Sequence, residues 1–262
     1  MPFIGNKPSA VPLTSADIAD GIITSAKIVD GTIVNADINS SSAIALSKLS
    51  TTGTADATTF LRGDGAYTAV SSDFVLLATT TASASASVSF DGYYSSTYKN
   101  YQIIISNMVP ATNTVKFHAR YRRSNADVTA SNYLTLMNWS DSATTGVQTA
   151  RTYGSYASAQ TALETFSHNE SINNNSSYGM VMILDIHSPL DTDTYKVTQM
   201  RGYTLNSTSG NHVITQNIGI LNDATTALSG ISFYFSSGNI ARGNFKLYGI
   251  KWKRLLIILN MI

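Results

Sequence analysis

Residues 13–38 read LTSADIADGIITSAKIVDGTIVNADI. Within this stretch Leu13, Ile18, Ile23, Ile28, Ile33 and Ile38 fall five apart, and the turn pairs Asp20-Gly21 and Asp30-Gly31 fall ten apart. A period of five matches neither the 3.6 of a helix nor the 2 of a strand. Each unit is therefore expected to be a short extended piece plus a turn, offering one or two apolar side chains. Burying one Ile contributes about 1.5–3 kcal/mol, while fixing five backbones costs about 1–2 kcal/mol each. A single copy of the ladder cannot meet that cost, so it must pack against copies of itself or against another protein. The sequence leaves open whether the SADIAD and SAKIVD pieces form helical turns. Serine ahead of an acidic or alanine-rich turn is a fair N-cap signal, but the units are too short for stable isolated helices.

The composition extends this picture to the rest of the chain. Charged residues make up 13% of the 262, about half the usual quarter. Ser, Thr, Asn and Ala fill the gap alongside 14 Tyr and 17 Gly, a chemistry suited to β-structure with hydroxyl-covered faces. Glu164 and Glu170 are the only glutamates and Lys is sparse, which argues against long surface helices. The net charge is +1, and Arg120, Arg122 and Arg123 form a basic cluster expected to flank a solvated edge. No positive stripe for nucleic acid is present. The absence of cysteine excludes disulfides and thiolate metal sites.

Neither end of the chain reads as a membrane or export element. The opening MPFIGNKPSAVPL has no basic region followed by an apolar core, so no secretory signal is expected. The apolar run Leu255–Leu259, followed by Asn260, Met261 and Ile262, is far shorter than the ~20 residues of a membrane helix.

These features divide the chain into an extended arm (1–12), a repeat stalk (13–50), a linker (51–72), a β-rich head (73–253) and an apolar tail (254–262). Strand signals recur at 74–81, 101–108, 114–122, 133–139, 178–187, 194–200, 212–220, 231–236 and 244–252, separated by Asn/Gly/Ser/Asp turns. Nine or ten strands without helical patterns predict an antiparallel β-sandwich of jelly-roll type. YQIIISNM and GMVMILDI are apolar on both faces, which makes those strands either central or pressed against a neighbouring subunit.

The decade pattern resembles the low-complexity stalk repeats of trimeric bacteriophage fibre proteins. TTFLRGDGAY (58–67) resembles the FLRGDGTW motif that joins stalk to head in phage tail fibres, with Ala66 and Tyr67 replacing Thr and Trp. MPFIGNKP is similar to the N-terminal arms of phage appendage proteins. The resemblance covers roughly the first 70 residues and leaves the head unassigned. It implies a homotrimer, an N-terminal arm bound to a virion protein, a location on the virion surface and a distal β-rich head. A tail fibre that contacts a host surface glycan or protein is the leading expectation. A capsid or collar decoration protein is the alternative, and a polysaccharide-degrading tailspike-like enzyme a distant one. No cofactor, metal, nucleic acid or membrane insertion is expected.

Candidate chemistry is thin. Arg62-Gly63-Asp64 spells an integrin-type motif but reads better as a tight turn. Asp185 and His187 share a strand face without a visible third metal ligand. Each of the four histidines (His118, His168, His187, His212) reads as solvated or interfacial. Asp191 and Asp193 suit a polar hairpin loop better than a calcium site. Glu164, Glu170, Asp141, Asp185, Asp191 and Asp193 offer no clear pair for glycoside hydrolysis. Trp139, Arg151, Tyr153 and Tyr156 lie in the longest polar segment of the head and are candidates for receptor contact. The tail has the profile of a sticky strand and should be buried against the sandwich or at a subunit interface. Deleting residues 254–262 should therefore lower the solubility or thermal stability of the assembled protein; an assembly unchanged in both would contradict this.

Overall fold

A computed structural model describes residues 14–42, 48, 50–70, 72–142, 148–151, 160–166, 171–223 and 225–251. The expected docking arm, Leu13 and the 254–262 tail lie outside the described residues. The chain divides into two compact units, Met1–Val70 and Ser71–Ile262.

In the first unit the repeat is built from ten-residue modules. Each opens with a single 3₁₀ turn, at Ser15–Asp17, Ser25–Lys27 and Asn35–Asp37. The turns close through Asp17 N–H to Thr14 O (3.0 Å), Lys27 N–H to Thr24 O (2.9 Å) and Asp37 N–H to Val34 O (2.9 Å). In the first and third modules an aspartate also caps the turn backwards. Asp17 Oδ2 accepts the Thr14 N–H at 2.8 Å, and Asp37 Oδ2 accepts the Val34 N–H at 2.9 Å. Lys27 holds that position in the middle module and has no acceptor to offer. Gly21 and Gly31 sit at φ +78° and +81°, the left-handed geometry that the Asp-Gly turns need. The question left open by the sequence is thereby answered: one helical turn per decade, with the aliphatics between.

Residues 58–70, read as linker, hold a hairpin of β1 (Thr59–Leu61) and β2 (Tyr67–Ala69). Its tip is the Arg62–Asp64 segment, closed by Arg62 N–H to Ala66 O (2.9 Å) and Gly65 N–H to Arg62 O (3.0 Å).

The second unit is mainly β, with antiparallel sheets consistent with a sandwich. The larger sheet has the order β3-β15-β5-β11-β12-β13-β8-β9. Its strands are β3 (Phe74–Ser85), β5 (Asn100–Pro110), β8 (Tyr133–Ser142), β9 (Gln148–Arg151), β11 (Met180–His187), β12 (Lys196–Leu205), β13 (His212–Leu221) and β15 (Ile240–Ile250). The smaller sheet has the order β10-β6-β14-β4, with β7 (Ala126–Asp127) on β6. Its strands are β4 (Val88–Asp91), β6 (Phe117–Arg123), β10 (Leu163–Glu164) and β14 (Gly230–Phe235). All nine segments expected from sequence coincide with strands, whereas the short strands β4, β7, β9 and β10 fall outside them.

Two ribbons cross between the sheets together. β3 pairs β15 while the next strand, β4, pairs β14; likewise β5 pairs β15 while β6 pairs β14. Phe117, Phe233 and Phe235 from the small sheet meet Ile103, Ile105, Phe245 and Leu247 from the large one in a single core. The Phe233 ring lies 5.7 Å from Phe245 and 5.8 Å from Phe117. Gly219 lets Leu163 approach the large sheet closely: a Cβ there would lie 2.7 Å from Leu163 Cδ2, and the tips of Leu163 and Met200 would have to move. β5 and β11, apolar on both faces in sequence, are indeed central, being neighbours in the middle of the large sheet.

The Arg120/Arg122/Arg123 cluster is not a solvated edge, because β6 is an internal strand flanked by β10 and β14. Arg122 pairs with Asp91 (2.7 Å) and Asp127, Arg123 with Asp223 (2.8 Å), and Arg120 lies 4.7 Å from the Tyr234 ring centroid. Its charges are spent inside the head.

Phe233→Ala should cost the head about 3–5 kcal/mol by leaving a cavity between the sheets. For a domain of this size that lowers the melting temperature by about 6–20 °C, measurable by calorimetry.

Candidate functional site

In a half-buried sheet, the face toward the core is normally apolar and the face toward water polar. Strands β8, β12 and β13 depart from that rule. Their inward positions include Thr135, Thr198, Thr204, Thr215 and Asn217, all buried. Their outward positions, together with those of β11, carry Leu136, Val181, Ile214 and Ile218, each 40–57% exposed. The inward polar groups are satisfied locally. Asn217 Nδ2 donates to Thr165 O at 3.0 Å, Thr215 Oγ1 donates to Asn217 Oδ1 at 2.8 Å, and Thr165 Oγ1 donates to Phe117 O at 2.6 Å. These bonds tie the 163–166 segment to both sheets and hold the inverted strands in register.

Pairing register orders the outward side chains into rows that cross the strands. Asn138, Gln216, Arg201 and Ile183 form one row, with Ser140, Ile214, Tyr203 and Val181 on one side and Leu136, Ile218, Gln199 and Asp185 on the other. Concavities of about 570 Å³ and 430 Å³ lie on this face, both bordered by Asn138, Arg201 and Gln216. Arg201 Nη2 lies 3.4 Å from Asp185 Oδ2, while Asp185 Oδ1 accepts from Gln102 Nε2 at 2.6 Å. The Tyr203 hydroxyl is 2.7 Å from His212 Nδ1, and the two rings stack 5.8 Å apart.

The residues singled out in sequence fall differently. Trp139 is 6% exposed and takes the inward register of β8, so it offers little ring to a receptor; its neighbour Asn138 faces out instead. Arg151 opposes Trp139 in the β8–β9 ladder. Tyr153, Tyr156, His168 and Glu170 lie outside the described residues. Asp185 and His187 share the outer face, but Asp185 is already engaged by Gln102 and Arg201. Glu164 is buried and lies 3.7 Å from Lys116 Nζ.

The Asp191–Asp193 loop is closed by a lysine. Asp191 Oδ1 caps the Asp193 N–H at 2.8 Å, while fully buried Lys196 donates to Thr194 O (3.0 Å) and Asp191 O. The ammonium sits on the loop carbonyls that a bound cation would otherwise use. Among the described residues no group of three His, Asp or Glu is placed to hold a metal. In the hairpin, Arg62 and Asp64 pair with each other at 3.4 Å, which fits the tight-turn reading of that triplet.

His118, expected from sequence to be solvated or interfacial, is half-buried. Its Nε2 is buried without a partner, and its ring packs edge-on to Tyr234 at 5.4 Å. His187 Nε2 is likewise buried without a partner. Burial pushes the His118 pKa down, opposed by nearby Glu164. An unfolded histidine takes up a proton near pH 6.5, whereas the folded one resists it, so stability falls as pH drops through 6.5 toward the folded value. Melting temperature should decline between pH 7.5 and 5.5, and His118→Asn should reduce that decline. An equal decline in the variant would contradict it.

No protein-family model, no curated protein and no solved structure matches this chain.

Proposed function

We propose that this chain is a structural virion protein, a homotrimeric phage fibre or appendage whose sandwich head contacts the host surface. The arm at 1–12 binds a virion protein, the repeats at 13–50 intertwine as the stalk, and the head works by adhesion rather than catalysis. One observation carries the reading. Ile18, Ile23, Ile28, Ile33 and Ile38 are all 39–57% exposed, and Ile22, Val29 and Val34 beside them are 44–73% exposed. A repeat that folds its backbone so regularly while leaving its aliphatics uncovered needs identical neighbours to cover them.

Three copies related by a three-fold axis cover the ladder from all sides and place three heads on one particle. Linked weak contacts then exceed any single one in strength. The sandwich would belong to the jelly-roll class, which the paired crossing of its ribbons supports. The fibre resemblance of TSADIADGI, TTFLRGDGAY and MPFIGNKP selects this reading among oligomeric stalks.

The test is the double variant Ile23→Asp and Ile28→Asp. Six carboxylates brought to one axis should abolish the trimer, and cross-linking should then yield only monomer. Survival of the trimer would contradict the stalk model.

A further inference from the structure

The outer face of the large sheet has a polar ridge that the fold does not require. Asn138, Gln216 and Arg201 are exposed, and they stand on adjacent strands β8, β13 and β12 at the ~4.8 Å strand spacing. About 6.8 Å along the strands lies the next outward row, with Ile214, Tyr203 and Val181. Between the two rows runs the larger concavity, about 570 Å³, with an amide and guanidinium wall on one side and an aliphatic and aromatic wall on the other.

This geometry narrows the occupant. β11, β12 and β13 are laddered on both sides, and β8 is paired with β13 and, over Trp139–Ser142, with β9, so a peptide strand finds no sheet edge within the trough to extend. Charge narrows it further. Asp185 neutralises Arg201, and the lining holds no other charged side chain, so an anionic ligand gains little. What remains complementary is a molecule with hydroxyls along one edge and C–H groups along the other. Side-chain amides both donate and accept, so Asn138 and Gln216 can each serve a hydroxyl pair. Ile214, Val181 and the Tyr203 ring supply the apolar contact, and the His212 bond to Tyr203 together with the Asp185 pair on Arg201 fix two walls in advance.

We infer that this trough binds a neutral saccharide chain running across strands β8, β13, β12 and β11, with Asn138, Gln216 and Arg201 reading its hydroxyls. As a host-attachment site it rests on the appendage reading above. The inverted strands fit the same role: aliphatics that face the core elsewhere are turned outward where the ligand's C–H edge lies.

The experiment uses the full chain, with saturation-transfer NMR and titration against neutral linear glucan, mannan and galactan hexasaccharides up to about 10 mM, ten times a millimolar Kd. At least one should bind. The Asn138→Ala/Gln216→Ala variant should weaken that one at least tenfold with its melting temperature unchanged, since both side chains are exposed. No binding by any of the three, binding indifferent to the variant, or stronger binding of a polyanionic glycan would each overturn the inference. A fall in solution mass caused by Ile214→Lys and Ile218→Lys, with the stalk intact, would also overturn it by showing that a second copy covers the face. Light scattering on the same samples separates the two readings. A trimer that ignores all three glycans sinks the trough alone, whereas a monomer that binds one keeps the trough and sinks the fibre.

Discussion

Unmet apolar burial in the ten-residue repeat is the constraint from which the account of this molecule follows. Backbone geometry there is settled locally, by 3₁₀ turns, by the Asp17 and Asp37 back-caps and by left-handed Gly21 and Gly31. None of those devices covers an isoleucine. Short turns of this kind carry little stability alone, because nucleating a turn fixes several dihedrals for one hydrogen bond. Local order is thus supplied by the sequence itself, whereas burial of the isoleucines is left, in the proposed fibre, to other copies of the chain.

The head meets the same demand within itself. Ribbons that cross together between the sheets place Phe117, Phe233 and Phe235 against Phe245 and Leu247, and this shared core frees the outer face of the large sheet from structural duty. Where the face is plain, polar side chains would suffice. At β8, β12 and β13 the chain instead turns aliphatics outward and threonines and an asparagine inward, at the cost of anchoring Asn217 and Thr215 through side-chain hydrogen bonds. An arrangement that works against the usual partition of apolar and polar groups is a place to look for function.

Much of the architecture was legible in the sequence. Alternation at Val115, Phe117, Ala119 and Tyr121 and at Ile231, Phe233 and Phe235 marked true strands, and the doubly apolar runs correctly marked the centre of the large sheet. The candidate site was not legible, for a physical reason. HVITQNIGI holds three successive polar residues, Thr215, Gln216 and Asn217, which split between the two faces, so the pattern alone does not say which face is wet. Gln216 and Asn217 look equivalent in sequence, yet one is exposed and the other buried against Thr165. Trp139 drew attention as an aromatic in a polar stretch, whereas pairing with β13 fixes it inward and Asn138 outward. The arginine triplet misled similarly, since its partners Asp91 and Asp223 lie far away in the chain.

The most direct measurement is the mass of the intact protein in solution by light scattering coupled to size exclusion. One chain weighs 28.1 kDa. The proposed homotrimer should run as a single species of about 84 kDa, three times that mass, unchanged on dilution. A stable species of 28.1 kDa at working concentration would contradict it, because the ladder would then remain uncovered by any copy of itself.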